Sequence, residues 1–327
     1  MMKRLLALAM ILALMMSMTM PLARAEEYAT LTRSDGTKGA FPALNAEGFL
    51  DEGEYVYADA EEGLWRFVDE DVKVEIYRCQ TVKPDPKLIW YEAEIWSRNG
   101  EIFQLLTNLP DKHMGGADWP HLVARKHQTV FAINTDFAQN RYPAKKNVGV
   151  VVRDRKIIIE KTVSAGYKYF PNLDILALFE DGSMKTYESD AHTGQEYLDM
   201  GVVSTLAFGP ILIADGVINE EEILANYNGS NAPRTAIGMI EPGHYAAVMV
   251  EGRTAKSNGC KVILAAQLLQ AMGCVEALNL DGGETACMIF MGEQINTVGN
   301  AHSSKGYARK TTEVLGIGVS EQVPSVD

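Results

Sequence analysis

Strict alternation of apolar and polar residues over 72–76 predicts a half-buried strand. Residues 88–96 and 101–106, separated by Arg98-Asn99-Gly100, read as a hairpin. So do 148–152 with 157–159, and 235–240 with 244–250, the latter turning at Glu241-Pro242-Gly243. The run 174–179 meets a turn signal at Glu180-Asp181-Gly182, and 211–214 closes at Asp215-Gly216. Two apolar runs, 129–133 and 275–280, end abruptly in polar residues and read as buried strands; a last strand is expected over 314–319.

Helical periodicity is scarcer. Asp118 as cap and Pro120 in the first turn predict a short helix over 121–127, and a second suits 193–200. The one strong helix covers 261–272, where Val262, Leu264, Ala265, Leu268, Leu269 and Met272 fill one face and Gly273 supplies the stop. Many hairpins with few helices imply an α+β fold with a mixed, largely antiparallel sheet.

The polar residues that end the two buried runs are the first candidates for chemistry. The run 275–280 delivers Asp281 to its end, and Gly282 and Gly283 permit a turn whose backbone N–H groups cradle an anion, with the Thr285 hydroxyl beside them. A tight turn between two core strands is the competing reading. The strong helix precedes this strand directly, which places the Asp281 turn next to the helix and at the sheet edge. The run 129–133 likewise ends in Asn134-Thr135-Asp136, residues that are also common turn formers. Asp215, Asn300 and His302 lie on further turns or loops.

Residues 1–25 carry the marks of a secretory signal peptide. Lys3 and Arg4 precede an apolar run over 5–16, and Ala23-Arg24-Ala25 is a small-x-small cleavage site. No later segment is long or apolar enough to cross a bilayer as a helix, so an exported, secreted or cell-surface protein is expected. Residues 26–84 then form an acidic, turn-rich, β-rich extension, and 85–327 the main domain. Of the 30 basic and 43 acidic residues, three basic ones fall within the signal, which leaves a net charge near −16 and argues against a nucleic-acid partner. Cys79, Cys260, Cys274 and Cys287 permit disulfides in an exported chain, with buried free thiols as the default. Their spacing does not suit zinc, and His113, His121 and His127 form no ligand motif. Asn228-Gly229-Ser230 matches a glycosylation sequon.

Six stretches in order resemble the phosphodiester glycosidase family: 132–136 around Asn134 and Asp136, Phe208-Gly209-Pro210, Pro233-Arg234 with 235–238, 250–253 ending in Arg253, Ser257-Asn258-Gly259, and Asn279 with Leu280, Asp281, Gly282 and Gly283. The resemblance covers roughly residues 85–320. It implies a mixed α/β domain that cleaves a sugar-1-phosphodiester, for example of N-acetylglucosamine, to free sugar and phosphomonoester. Two departures stand out. Thr135 replaces the family's usual glycine, so the local backbone is expected to differ. Glu284 follows Asp-Gly-Gly and adds negative charge beside a phosphate, which costs affinity unless a cation offsets it.

The residue types agree with that chemistry. Arg234 suits a bidentate grip on a phosphodiester, with Gly282, Gly283, Thr285, Asn134, Arg253 and Arg309 as further donors. Asp281 and Asp136 are the candidate catalytic carboxylates. Asp136, Asp281 and Glu284 also offer oxygen ligands that suit Ca²⁺ or Mg²⁺. Two other readings stay open: a non-catalytic glycan- or envelope-binding protein on the same fold, and a metal-dependent phosphodiesterase that cuts the P–O bond.

Overall fold

The computed structural model describes residues 31–32, 36–82, 86–109, 115–136, 148–161, 173–225, 229–299 and 306–326. The signal peptide, His113, Asn228, Asn300 and His302 lie outside the described residues. The strands are β1 (Leu31–Thr32), β2 (Tyr55–Asp59), β3 (Leu64–Val68), β4 (Val72–Thr81), β5 (Ile89–Ser97), β6 (Gln104–Thr107), β7 (Thr129–Asn134), β8 (Val151–Arg153), β9 (Lys156–Ile159) and β10 (Asp174–Phe179). They continue as β11 (Met184–Tyr187), β12 (Val202–Phe208), β13 (Ile211–Ala214), β14 (Val217–Ile218), β15 (Arg234–Glu241), β16 (His244–Val250), β17 (Glu276–Asn279), β18 (Met288–Phe290), β19 (Glu293–Gln294) and β20 (Glu313–Val319). Four α-helices are described: α1 (Pro120–Lys126), α2 (Gly194–Asp199), α3 (Glu220–Ala225) and α4 (Val262–Ala271).

A ten-stranded sheet runs β14-β13-β17-β15-β16-β5-β4-β3-β2, with β1 added beside β4. A five-stranded sheet runs β19-β18-β7-β20-β6, and a smaller one β11-β10-β12. The pairings are antiparallel throughout, including β5 with β4 and β16, and β7 with β18 and β20. The expected α+β class is the one observed.

The core explains why the sheets stack. Val74, Ile76, Ile95, Ile237 and Leu278 of the large sheet pack with Phe131, Ile133, Met288 and Leu315 of the five-stranded one. On the large sheet's other face, Val262, Ala265 and Leu269 of α4 bury Ala236, Ala246, Val248 and Ala277. On the five-stranded sheet's far face, Val123 and Ala124 of α1 cover Ala132, Ile289 and Val314. The order is therefore helix, sheet, sheet, helix, with the buried β17 and β7 in the middle layers. Burial on both sides is why both read as continuous apolar runs.

The turns at 153–156 and 241–243 form the expected hairpins β8–β9 and β15–β16. Three expectations need correction. The turn at Asn99 and Gly100 exists, both with positive φ, but β5 and β6 do not pair. Both edges of β5 are taken by β4 and β16, so the chain crosses to the other sheet, where β6 joins β20. Asp118 is not the cap of α1: Trp119 holds that position without a side-chain bond, and Asp118 Oδ1 accepts the Trp119 N–H. And β17 is an inner strand between β13 and β15, not an edge.

All four cysteines are buried and free. Burial pushes the Cys260, Cys274 and Cys287 thiols up to about 12, which leaves almost no thiolate at neutral pH. A thiol reagent is therefore expected to titrate essentially no cysteine in the native protein and four in denaturant. Two or fewer in non-reducing denaturant would mean a disulfide instead.

Candidate active site

The end of β17 is tied to both its own sheet and the facing one. Leu280 N–H donates to the Thr235 carbonyl (2.9 Å), and Asp281 N–H to the Thr135 carbonyl at the end of β7 (3.3 Å). Asn134 clamps the junction: its amide donates to the Asp281 (2.7 Å) and Thr135 (3.0 Å) carbonyls and its Oδ1 accepts the Cys287 N–H (3.0 Å). Fully buried and bonded in this way, Asn134 positions the Asp281 turn rather than facing a ligand. Thr135 fits where glycine is usual because its φ is not positive.

The glycine pair is used differently from the expected cradle. Gly283 N–H donates to the Pro233 carbonyl (3.0 Å), and Gly282 N–H serves the Asp281 carboxylate. What the glycines provide is close approach, since a Cβ at Gly282 would lie 2.7 Å from the Pro233 oxygen. That approach brings the Pro233-Arg234 segment against the Asp281 turn. On the other side, the Arg253 guanidinium lies over Gly283, its Nη1 3.4 Å from where a Cβ would stand. Arg253 is exposed and itself takes a left-handed backbone, φ 57°. Such strain in a non-glycine residue collects at functional positions.

Arg234 donates to the Cys260 (3.2 Å) and Ser230 (2.9 Å) carbonyls. Burial lowers its pKa, partly opposed by Cys260 and reinforced by the nearby Arg253 charge. No described carboxylate forms an ion pair with either arginine. Two neighbouring guanidinium groups, one largely desolvated and neither paired with a described carboxylate, are groups whose chemistry suits an anion.

Asp281 is pushed up to about 6, chiefly by burial, with Asp136 adding to the rise and Thr285, Arg309 and the Gly282 N–H opposing it. The two predicted carboxylates are thus close enough to interact, yet their settings differ. Asp136 is 1% exposed, and its Oδ2 accepts the Ala207 N–H (2.7 Å) and lies 3.5 Å from Arg153. Arg153 is buried too and grips Glu313 through Nη2 (2.6 Å) and Nε (3.2 Å). Asp136 therefore belongs to a buried ionic cluster that joins β7, β8, β12 and β20, and Asp281 alone among the pair is partly exposed.

Glu284 does not leave the site negative. Its backbone carbonyl accepts the Arg309 N–H (2.8 Å) and its carboxylate pairs with the Arg309 guanidinium (3.4 Å). Arg309, expected as a phosphate donor, is thus committed to Glu284 and to the field at Asp281. Among the described residues no three His, Cys, Asp or Glu side chains group as metal ligands. Asp136 and Glu284 instead lie beside Arg153 and Arg309, so the expected Asp136, Asp281 and Glu284 oxygen set does not form a metal-ligand group among the described residues.

Several buried polar atoms around the turn lack a hydrogen-bond partner: Thr135 Oγ1, Thr235 Oγ1, Asn279 Oδ1 and Arg309 Nε. All four residues adjoin Asp281 through the bonds above or along the chain. Unsatisfied groups cost about 1–3 kcal/mol each, so the surroundings of the turn hold polar atoms that the fold itself does not satisfy. Sequence reasoning did not single out Thr235, Asn279 or the buried Glu251, whose carboxylate takes the Thr297 N–H (2.8 Å) and the Tyr91 hydroxyl (3.2 Å). The one signal for them was membership in the six family-like stretches.

A family model described as phosphodiester glycosidase matches residues 127–318. The SPbeta prophage-derived uncharacterized protein YomE of Bacillus subtilis (strain 168) is 26% identical over 197 residues, 60% of this chain. The match spans 29% of that relative's length, under a third. Among solved structures, the catalytic domain of zebrafish N-acetylglucosamine-1-phosphodiester alpha-N-acetylglucosaminidase, auto-inhibited by its pro-peptide, is similar with a TM-score of 0.54 at 17% identity, covering 89% of each chain. A hypothetical protein from Synechocystis gives 0.50 at 15% identity, over 77% of this chain and 63% of that one. At these identities the two structures share the fold with this chain, and nothing more is read from them.

Proposed function

Because the chain belongs to the phosphodiester glycosidase family, we propose that it hydrolyses the glycosidic bond of a sugar-1-phosphodiester, such as that of N-acetylglucosamine, in exported or surface glycoconjugates. The observation that carries this reading is the Arg234–Arg253 pair, without a carboxylate partner among the described residues, at the turn that bears Asp281. The arginines hold the phosphodiester. Asp281, in its charged form, stabilises the positive charge that develops at the anomeric carbon and directs water there. The phosphate leaves as a weak base and needs no strong acid. Water oxygen ends on the sugar, and the proton goes to the phosphate.

Export is proposed from the N-terminal signal alone. Among the described residues no helix is long and apolar enough to cross a membrane.

Arg234→Ala and Arg253→Ala are each expected to lower kcat/KM on a sugar-1-phosphodiester by roughly 10²–10³-fold, the scale of losing one charge-stabilising donor. Hydrolysis in ¹⁸O-labelled water tests the bond that breaks. Label in the sugar supports the glycosidase, and label in the phosphate would assign P–O cleavage instead. No turnover across a panel of such diesters would favour a binding protein.

A further inference from the structure

Glu251 is a buried carboxylate, two residues before Arg253, that the chemistry above leaves unused. Its Oε1 accepts the Thr297 N–H (2.8 Å) and the Tyr91 hydroxyl (3.2 Å). That hydroxyl also lies 3.0 Å from the Ile295 carbonyl, so Tyr91 stands between the carboxylate and the loop that follows β19. Asn296 ties the start of this loop to the β18 end, accepting the Met288 N–H (2.9 Å) and donating to the Ala286 carbonyl (3.2 Å). From Thr297 onward, the Glu251 side chain is what joins the loop to the chain leaving β16.

Two residues further on, that loop lies directly on Arg253. Gly299 is buried, and a Cβ there would overlap the Arg253 carbonyl oxygen and lie 2.5 Å from that of Gly252. The opposite side of Gly252 is just as close-packed, since a Cβ on it would meet the Pro233 nitrogen and the Gly259 Cα at 2.8 Å. The backbone under Arg253 is therefore enclosed between residue 299 and the segment that carries Arg234. Arg253 takes φ 57° there, a conformation that a non-glycine residue keeps only where its surroundings over-determine it. Its guanidinium, by contrast, is exposed over Gly283, so its aim is set by the backbone beneath it.

We propose that Glu251 is a positioning residue for phosphate binding: through Thr297 it holds the 295–299 loop against Arg253 and fixes the left-handed turn that directs the guanidinium at the anion. The inference rests on the reading of Arg234 and Arg253 as the anion site, but not on which bond is cut. Both hydrogen bonds end on Oε1, so glutamine at this position keeps both acceptors and methionine, of similar length, keeps neither. Burial raises the Glu251 pKa, opposed by the Thr297 N–H, Tyr91, Arg78 and Lys256, so the interior tolerates a neutral side chain there.

Inorganic phosphate is titrated into the full protein by calorimetry, with melting curves taken on each variant. Glu251→Met is expected to weaken phosphate binding roughly tenfold, and Glu251→Gln to stay within about threefold of the natural protein. Glu251→Met/Arg253→Ala is expected to bind no more weakly than Arg253→Ala alone, because one residue acts through the other. Should Glu251→Met fail to fold, Glu251→Asp, which keeps the charge and shortens the reach to Thr297, decides with the same expected loss. Several results overturn the role: no phosphate binding by the natural protein, affinity kept in Glu251→Met, Glu251→Gln as weak as Glu251→Met, or losses that add fully in the double variant. Phosphate binding that depends on Glu251, without hydrolysis of any sugar-1-phosphodiester, sinks the glycosidase reading and leaves the positioning role standing. Hydrolysis with phosphate affinity indifferent to Glu251→Met does the reverse.

Discussion

Asp281→Asn is expected to lower kcat by roughly 10³–10⁴-fold while the melting temperature holds or rises. The loss follows from removing the one partly exposed carboxylate at the junction of β17 and β7. The stability outcome follows from the sign of its shift. Burial raises the Asp281 carboxyl from 3.8 to about 6, so folding penalises the charged form. Below about pH 4 the group is protonated in both states and the penalty vanishes. Between about pH 4 and 6 the unfolded chain ionises while the folded carboxyl holds its proton, and the stability lost across that window is on the order of 3 kcal/mol as an upper bound. A neutral isostere removes that penalty. The same shift sets a pH dependence: kcat/KM falls tenfold per unit as pH drops below about 6, and Asp281→Asn abolishes that limb. A fall of several degrees in the variant's melting temperature would instead make Asp281 an architectural residue.

That residue was visible from sequence because an apolar run broke off at a carboxylate followed by two glycines. The same logic found β7, β10, β13 and the helix α4, where burial writes itself as uninterrupted hydrophobicity or a full apolar face. It failed where the partner strand was decided far away. Residues 98–100 form a sound turn, yet β5 already had β4 and β16 as neighbours, and no local pattern in 88–106 carries that information. Turn chemistry fixes where a chain bends, and only the competition among distant strands fixes what it pairs with.

The sequence named residues that the structure gathers near the Asp281 turn, and it said less about what each side chain bonds there. Arg234 and Arg253 were named as phosphate donors, and the structure leaves them without acidic partners among the described residues. Asn134, Gly282 and Gly283 were named as donors too, but their hydrogen bonds go to Asp281, Cys287 and Pro233. A sequence lists which donors exist. It does not say which of them the fold consumes. Glu284 shows the reverse case: a charge that looked unfavourable is neutralised by Arg309, twenty-five residues on.

Arg153→Met is expected to destabilise the fold by about 3–5 kcal/mol, which lowers the melting temperature by roughly 6–15 °C. In the sequence Arg153 falls between the two runs of an expected hairpin, 148–152 and 157–159. In the structure it is buried, bidentate to Glu313, close to Asp136, and donates to the Val152 and Thr205 carbonyls. The buried carboxylates hold its pKa above the ordinary arginine value despite burial, so the charge is permanent. Removing it strands two acids in the interior. The double variant Arg153→Met/Glu313→Leu is expected to recover much of the loss, because a buried ionic group costs most when half of it remains. This cluster also separates the two carboxylates first paired as catalysts. If Asp136 acts by holding Ala207 and Arg153, Asp136→Asn loses more stability and less activity than Asp281→Asn. Equal losses of kcat with unchanged melting temperatures would return Asp136 to the chemistry. Thermal melts and kcat measured on the same four variants decide between them.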